Sequence, residues 1–138
     1  MGKRRKAREI VLQALYESEF SDSPWEEILT DQTTRRSARG ETVEYARLLF
    51  AKTLENKEHL DTIIQSALEN WEMGRVALVD KNILRLALCE ILFFPDVPPK
   101  VIVNEAIEIA HKYSSADAGR FVNGILDRFL KQYRGRPV

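Results

Sequence analysis

Arg120, Phe121 and Asn123 lie within four consecutive positions and bring together a guanidinium, a flat aromatic ring and a carboxamide. Such groups suit an unpaired nucleic-acid base: the ring stacks on its π-face while the polar neighbours hydrogen-bond its edge. Near the other end of the chain, Lys3, Arg4, Arg5, Lys6 and Arg8 form a block of positive charge with no acid among them. A block of this kind attracts phosphate. Gln13 and Arg8 flank the apolar stripe of the same segment, where they can reach phosphates or base edges. RNA is the ligand these residue types predict.

The formal net charge of zero conceals a polarised arrangement. Residues 1–8 carry +5, and residues 128–138, with Arg128, Lys131, Arg134 and Arg136, carry +4. The intervening stretch holds 12 basic residues against all 21 acidic ones, or −9. Cationic ends on an acidic body point to a localised polyanion site.

Helical patterns must position these residues. Ala7, Ile10, Val11, Ala14 and Leu15 recur at the 3.6-residue period and predict a first helix over Arg5 to Phe20. Ser23 before Pro24 starts a short helix through Leu29, and the polar stretch 30–40 is expected to be the long loop. Further helices are predicted over Glu41 to Leu54 and Glu58 to Asn70, with Gly74 breaking the pattern. The apolar run that follows, with Ile83, Leu84, Ala87, Leu88, Ile91 and Leu92 at helical spacing, predicts the most buried helix. Asp80 near its start complements the helix dipole. Pro95, Pro98 and Pro99 enforce a break, and two last helices follow, from about Pro99 to Tyr113 and from about Ala116 to Tyr133. No alternating strand pattern interrupts them. The expected class is all-α, one domain over 1–138 built as two helical halves of about 1–74 and 75–138.

Enzyme signatures are scarce. The chain has no glycine-rich phosphate loop, no dinucleotide fingerprint and no CxxC pair, and His59 and His111 are its only histidines. No catalytic residue, metal site or cofactor is predicted. Cys89, the single cysteine, excludes an internal disulfide and falls on the buried helix as an inert packing group. Asn104 and Glu105 read as capping or interhelical bonding groups, and Arg85 as the anchor of a buried or interfacial carboxylate. No apolar signal-peptide core follows the basic start and no apolar run is long enough to span a bilayer, so a cytoplasmic protein is expected. Leu12 and Tyr16, one turn apart and to one side of the first stripe, form a candidate exposed pair for docking a protein.

Four segments resemble the NusB family of bacterial transcription antitermination factors: AREIVLQALY from Ala7 to Tyr16, VDKNILRLALCE from Val79 to Glu90, VPPKVIVNEAIEIAHKY, and GRFVNGILD. Their order and spacing extend the resemblance over essentially the whole chain. It implies about seven helices in two three-helix subdomains. It also implies binding of the boxA element of nascent RNA, as a heterodimer with NusE, the small-subunit ribosomal protein. That complex would act in antitermination by RNA polymerase and in ribosomal RNA maturation. Arg4, Arg5 and Arg8 match the family's arginine-rich start, and Asp117, Phe121 and Asn123 match the region presented to boxA bases. Tyr16 and Asp80 match positions associated with the NusE interface. Ala118 departs from a small hydroxyl common in relatives, and His111 from a lysine. Two alternatives belong to the same resemblance: a homodimer whose partner surface is self-occupied, and the RNA-binding subunit of a ribosomal RNA-modifying enzyme.

Overall fold

The computed structural model describes residues 2–69 and 72–133, and every regular element among them is helical. The helices are α1 (Gly2–Phe20), α2 (Trp25–Arg35), α3 (Glu41–Glu55), α4 (Lys57–Ala67), α5 (Leu78–Phe93), α6 (Pro99–Tyr113) and α7 (Ala118–Gln132), with a 3₁₀ turn at Met73–Arg75. The expected all-α class with seven helices is what the structure shows. Arg134 and Arg136 of the basic C-terminal end, and Asn70 at the expected end of the fourth helix, lie outside the described residues.

The predicted stripe of α1 is the buried one: Ala7, Ile10, Val11, Ala14 and Leu15 all face inward. It packs on α2, α3 and α5. α5 occupies the centre, touching α1, α3, α4, α6 and α7, and everything from Asn82 to Ile91 is buried. This is why its apolar pattern covers more than one face. Pro99 at the start of α6 loses no hydrogen bond, since the first helical N–H groups have no intrahelical partner. On α7, Val122, Ile125 and Leu126 enter the core while Phe121, Phe129 and Leu130 pack only partly against it.

The stretch 30–40 departs from expectation, because α2 continues to Arg35 and leaves only 36–40 outside a helix. Polarity there marks a solvated helix face rather than a loop. Thr30 Oγ1 donates back to the Glu26 carbonyl at 2.9 Å, Asp31 and Arg35 pair across one turn at 3.1 Å, and Gln32 donates its amide to Glu17 at 2.8 Å. The chain turns at Gly40, whose φ of 57° suits a residue without Cβ. α4 stops at Ala67, where Leu68 turns extended and Arg128 of α7 donates to the Ala67 carbonyl. Gly119 also serves close packing: a Cβ there would collide with the His111 ring on α6.

Arg85 ties α5 to α4 and α1. Its guanidinium makes two bonds to Asp61, at 2.7 and 2.9 Å, and a longer one to Glu19 at 3.4 Å. It is the carboxylate anchor that the charge inside an apolar run implied.

Candidate RNA and partner interfaces

Phe121 sits in the first turns of α7, half-buried, as a ridge between two clefts. One cleft, of about 320 Å³, carries Asp80, Asp117, Arg75 and Ser115; the other, of about 280 Å³, carries Arg120, Arg128 and Glu69. Asp117, Arg120 and Asn123 are exposed. A half-buried ring that lines two clefts, with a guanidinium beside it, can stack on an unpaired base and bond its edge. Asn123 lines neither cleft; it lies one turn beyond Arg120 on the exposed face of the helix.

The N-terminal arginines have other occupations. Arg8, expected to touch RNA, is 3% exposed and holds Glu90 through two bonds of 2.7 and 2.8 Å, with Glu105 at 3.4 Å. Its guanidinium is thus committed to buried carboxylates and presents no free surface to phosphate. Position 8 lies on the inward face of α1 beside Ala7, so the helical period turned it into the core. Arg5, half-buried, bonds Glu105 twice at 2.6 Å. Glu105 is thereby the interhelical bonding group expected of it. Arg4 is exposed, loosely paired with Asp96 at 3.4 Å, and its guanidinium stacks over the Tyr45 ring at 4.7 Å. Arg4 reaches the connection before α6, whereas Phe121 follows its far end. α6, roughly 20 Å long, lies between these two places in the chain.

Tyr16 is 46% exposed and Phe20, one turn on, 71% exposed, with ring centroids 5.1 Å apart. Leu12 does not join them at the surface. It is 3% exposed, covered by a second layer of the same chain, and forms part of the wall of a cleft of about 220 Å³ with Tyr16, Gln13, Val79, Asn82 and Tyr113. Gln13, assigned to RNA from sequence, lies in this cleft and not beside Phe121. Asp80, assigned to the partner, lies in the cleft of Phe121 and Asp117. Val79 and Asp80 are consecutive in the first turn of α5, so each cleft takes a wall residue from that turn. Asn82, Tyr113 and Arg75 escaped sequence reading. The one available signal was Asn82, a carboxamide inside an apolar run, three residues before Arg85.

An ionic network around buried Glu9 reaches the Tyr16 cleft through Tyr113. Glu9 accepts from Arg36 at 3.1 Å, Lys112 at 3.1 Å and Tyr113 at 3.0 Å. Burial works to raise its pKa, but the bonds from Lys112, Tyr113 and Arg36 prevail and hold it below the ordinary carboxylate value. The hydrogen bond from Arg5, against the opposing effect of burial, holds Glu105 down likewise. Groups whose folded pKa is depressed contribute stability above the unfolded value, and that stability is lost as pH falls through the folded one. The urea midpoint is therefore expected to fall steeply below the ordinary carboxylate value of 4.5. Glu9→Gln should flatten that fall; an unchanged acid slope in the variant would refute the role of Glu9. Cys89 is buried, its thiol pushed up to about 12 chiefly by that burial, so it is unreactive. Among the described residues no group of three or more His, Cys, Asp or Glu is placed to hold a metal ion, and no helix is long and apolar enough to cross a membrane.

The whole arrangement has known counterparts. Residues 5–131 match the model of the NusB family. A protein of Salinibacter ruber named transcription antitermination protein NusB is 42% identical over 139 residues, covering 94% of this chain and 82% of the relative. The structure of T. maritima NusB superposes with a TM-score of 0.86 at 40% identity, covering 94% of this chain and 92% of that one. A chain in the crystal structure of antitermination factors NusB and NusE in complex with dsRNA superposes with a TM-score of 0.87 at 27% identity, covering 96% and 99%. With the family model matched over residues 5–131, a relative 42% identical over most of the chain and a closely superposing NusB structure, this chain belongs to the NusB family.

Proposed function

We propose that this protein is a non-catalytic RNA adaptor: it binds boxA-like RNA through the Phe121 ridge and a NusE partner through the Tyr16 face. In the cytoplasm, the pair would couple nascent ribosomal RNA to the antitermination complex of RNA polymerase and to ribosomal RNA maturation. The observation that carries this reading is the first turn of α5, which gives Val79 to the Tyr16 cleft and Asp80 to the Phe121 cleft. A ligand in either cleft touches the same turn of α5, so RNA and partner can contact each other across it. Contacts made by two proteins to one RNA raise its affinity through an effective local concentration. Support also comes from the solved complex of family member NusB with NusE and dsRNA.

Electrostatics limit the affinity of the protein alone. With Arg5 and Arg8 engaged internally, the exposed cations at the N-terminus and around Phe121 are Lys3, Arg4, Arg75 and Arg120. About four phosphate contacts on a single strand correspond to a salt slope of roughly −3 in log K against log salt. The test is fluorescence anisotropy with a boxA RNA and a scrambled control at two salt concentrations, each with and without purified NusE. Selective binding that tightens when NusE is added is the expected result. Equal binding to both RNAs, with no response to NusE, would overturn the reading.

A further inference from the structure

We infer that the RNA site continues along α7 beyond Phe121 into a second stacking cleft at Phe129 and Tyr133, which takes an unpaired nucleotide flanking the boxA-like core. This rests on the reading of the Phe121 ridge as the RNA surface, and extends its footprint towards the basic C-terminal end of the chain.

The Arg-Phe pair at positions 120 and 121 recurs at 128 and 129, about 12 Å further along α7. Arg128 lines the cleft on the Arg120 side of Phe121, and it also lines a separate cleft of about 320 Å³ between α4 and α7. In this second cleft the rings of Phe129 and Tyr133 stack on each other, with centroids 5.0 Å apart and planes inclined by 22°. Both rings are half-buried, so part of the pair stays accessible. A base can join such a stack as its third member.

Charge, hydrogen bonding and continuity favour an RNA strand as the occupant. Among the described residues lining this cleft, Arg128 is the only charged one. Residues 128–138 add three more basic side chains and no acid. A cationic wall without a carboxylate suits a polyanion. Arg128 donates to the Ala67 carbonyl and lies 3.5 Å from Glu69, yet its side chain is 39% exposed and a guanidinium carries further N–H donors. Thr62 and Ser66 direct their hydroxyl protons inside α4, to the carbonyls of Glu58 and Thr62 at 3.0 and 2.9 Å. Their oxygens remain acceptors for a base amino group or a ribose 2′-hydroxyl, and Gln132 adds a carboxamide with both functions. Because Arg128 is common to the two clefts, one strand can pass over it from Phe121 to Phe129. At a stacked spacing of about 3.4 Å, roughly four nucleotides cover that distance of about 12 Å.

Fluorescence anisotropy tests the idea with a boxA RNA and the same RNA extended by about five unpaired nucleotides, at its 5′ or its 3′ end. One of the extensions should tighten binding by about tenfold, the effect of one added stack. Ser66→Glu places a negative charge in the cleft from the exposed side of α4, without touching the core. It should abolish that gain while leaving the affinity for the unextended RNA and the circular dichroism spectrum unchanged. Tyr133→Ala, which removes one ring of the platform, should also lose the gain. A second measurement needs no variant: 4-thiouridine placed in the extension should photocrosslink to α4 or to the end of α7. Extensions that bring no gain, or a gain that survives Ser66→Glu, would overturn the inference. So would a gain that survives both variants but vanishes when residues 134–138 are deleted, since the basic end would then act as a generic polyanion site. Ser66→Glu that weakens NusE binding and keeps the RNA gain would assign the cleft to the protein instead. Phe121→Ala separates the two levels. If it weakens binding of both RNAs while the extensions add nothing, only the second cleft is wrong; if it weakens neither, the ridge itself is not the RNA site.

Discussion

Replacing Arg8 with alanine is expected to lower the free energy of unfolding by about 3–5 kcal/mol, the usual cost of removing one partner from a buried ion pair. Arg8 and Glu90 are 3% and 0% exposed and face each other through two hydrogen bonds, and Tyr45 donates to the same Glu90 carboxylate at 2.6 Å. Removing the guanidinium leaves the carboxylates of Glu90 and Glu105 in the interior without the cation they share. For Arg8, burial alone would favour loss of the charge, but the bond and charge of Glu90 outweigh it and raise its pKa, so it stays cationic. The Tyr45 hydroxyl has its pKa raised, by burial first and the neighbouring Glu90 next, and therefore remains a neutral donor. Urea denaturation followed by circular dichroism reads the loss. Arg8→Lys should recover only part of it, because a point charge cannot form the paired bonds of a guanidinium. RNA affinity, measured where the variant is folded, should stay close to that of the parent. A stable Arg8→Ala protein with much weakened RNA binding would reverse the assignment and return Arg8 to the RNA surface.

Phe121→Ala is the second large effect. Stacking on one aromatic side chain contributes about 1–3 kcal/mol per base, so RNA affinity should fall by roughly tenfold to a hundredfold. Phe121→Tyr, which keeps the ring, should retain most of the binding. The salt slope should be the same in parent and alanine variant, since no charge is lost. This separates the ridge from the cations: Arg120→Ala, by contrast, should make the slope shallower by nearly one contact. Part of the Phe121 ring packs against the core, so the variant also loses some stability, and the binding comparison belongs well below its unfolding transition. Unchanged affinity in Phe121→Ala would remove the ridge from the RNA site.

Where the sequence was legible, one physical signal dominated. The 3.6-residue recurrence located α1, α3 and α5 and most of the inward residues of each, because burying an apolar stripe is the main driving force for helix packing. Proline marked the starts of α2 and α6. The same method failed at 30–35, where the helix is held by side-chain bonds on its wet face and by only a few buried residues, including Ile28, Leu29 and Thr33. It also ran past the end of α4, whose termination depends on an arginine 61 positions away reaching the Ala67 carbonyl.

The site divides along a similar line. Residue type, order and spacing sufficed to identify the family, the aromatic and polar group at the start of α7, and Tyr16 as an exposed ring on α1. They did not reveal that Arg8 is sealed against Glu90, that Leu12 lies under its neighbours, or that Asp80 and Gln13 stand in each other's expected clefts. Periodicity reports which face of a helix is apolar, and does so locally. Which charge finds which counter-charge depends on pairs far apart in the chain, Arg8 with Glu90 at 82 positions and Lys112 with Glu9 at 103 among them. Only the folded chain brings such pairs within hydrogen-bonding distance, and so only the tertiary structure decides which arginines are sealed inside and which stay exposed.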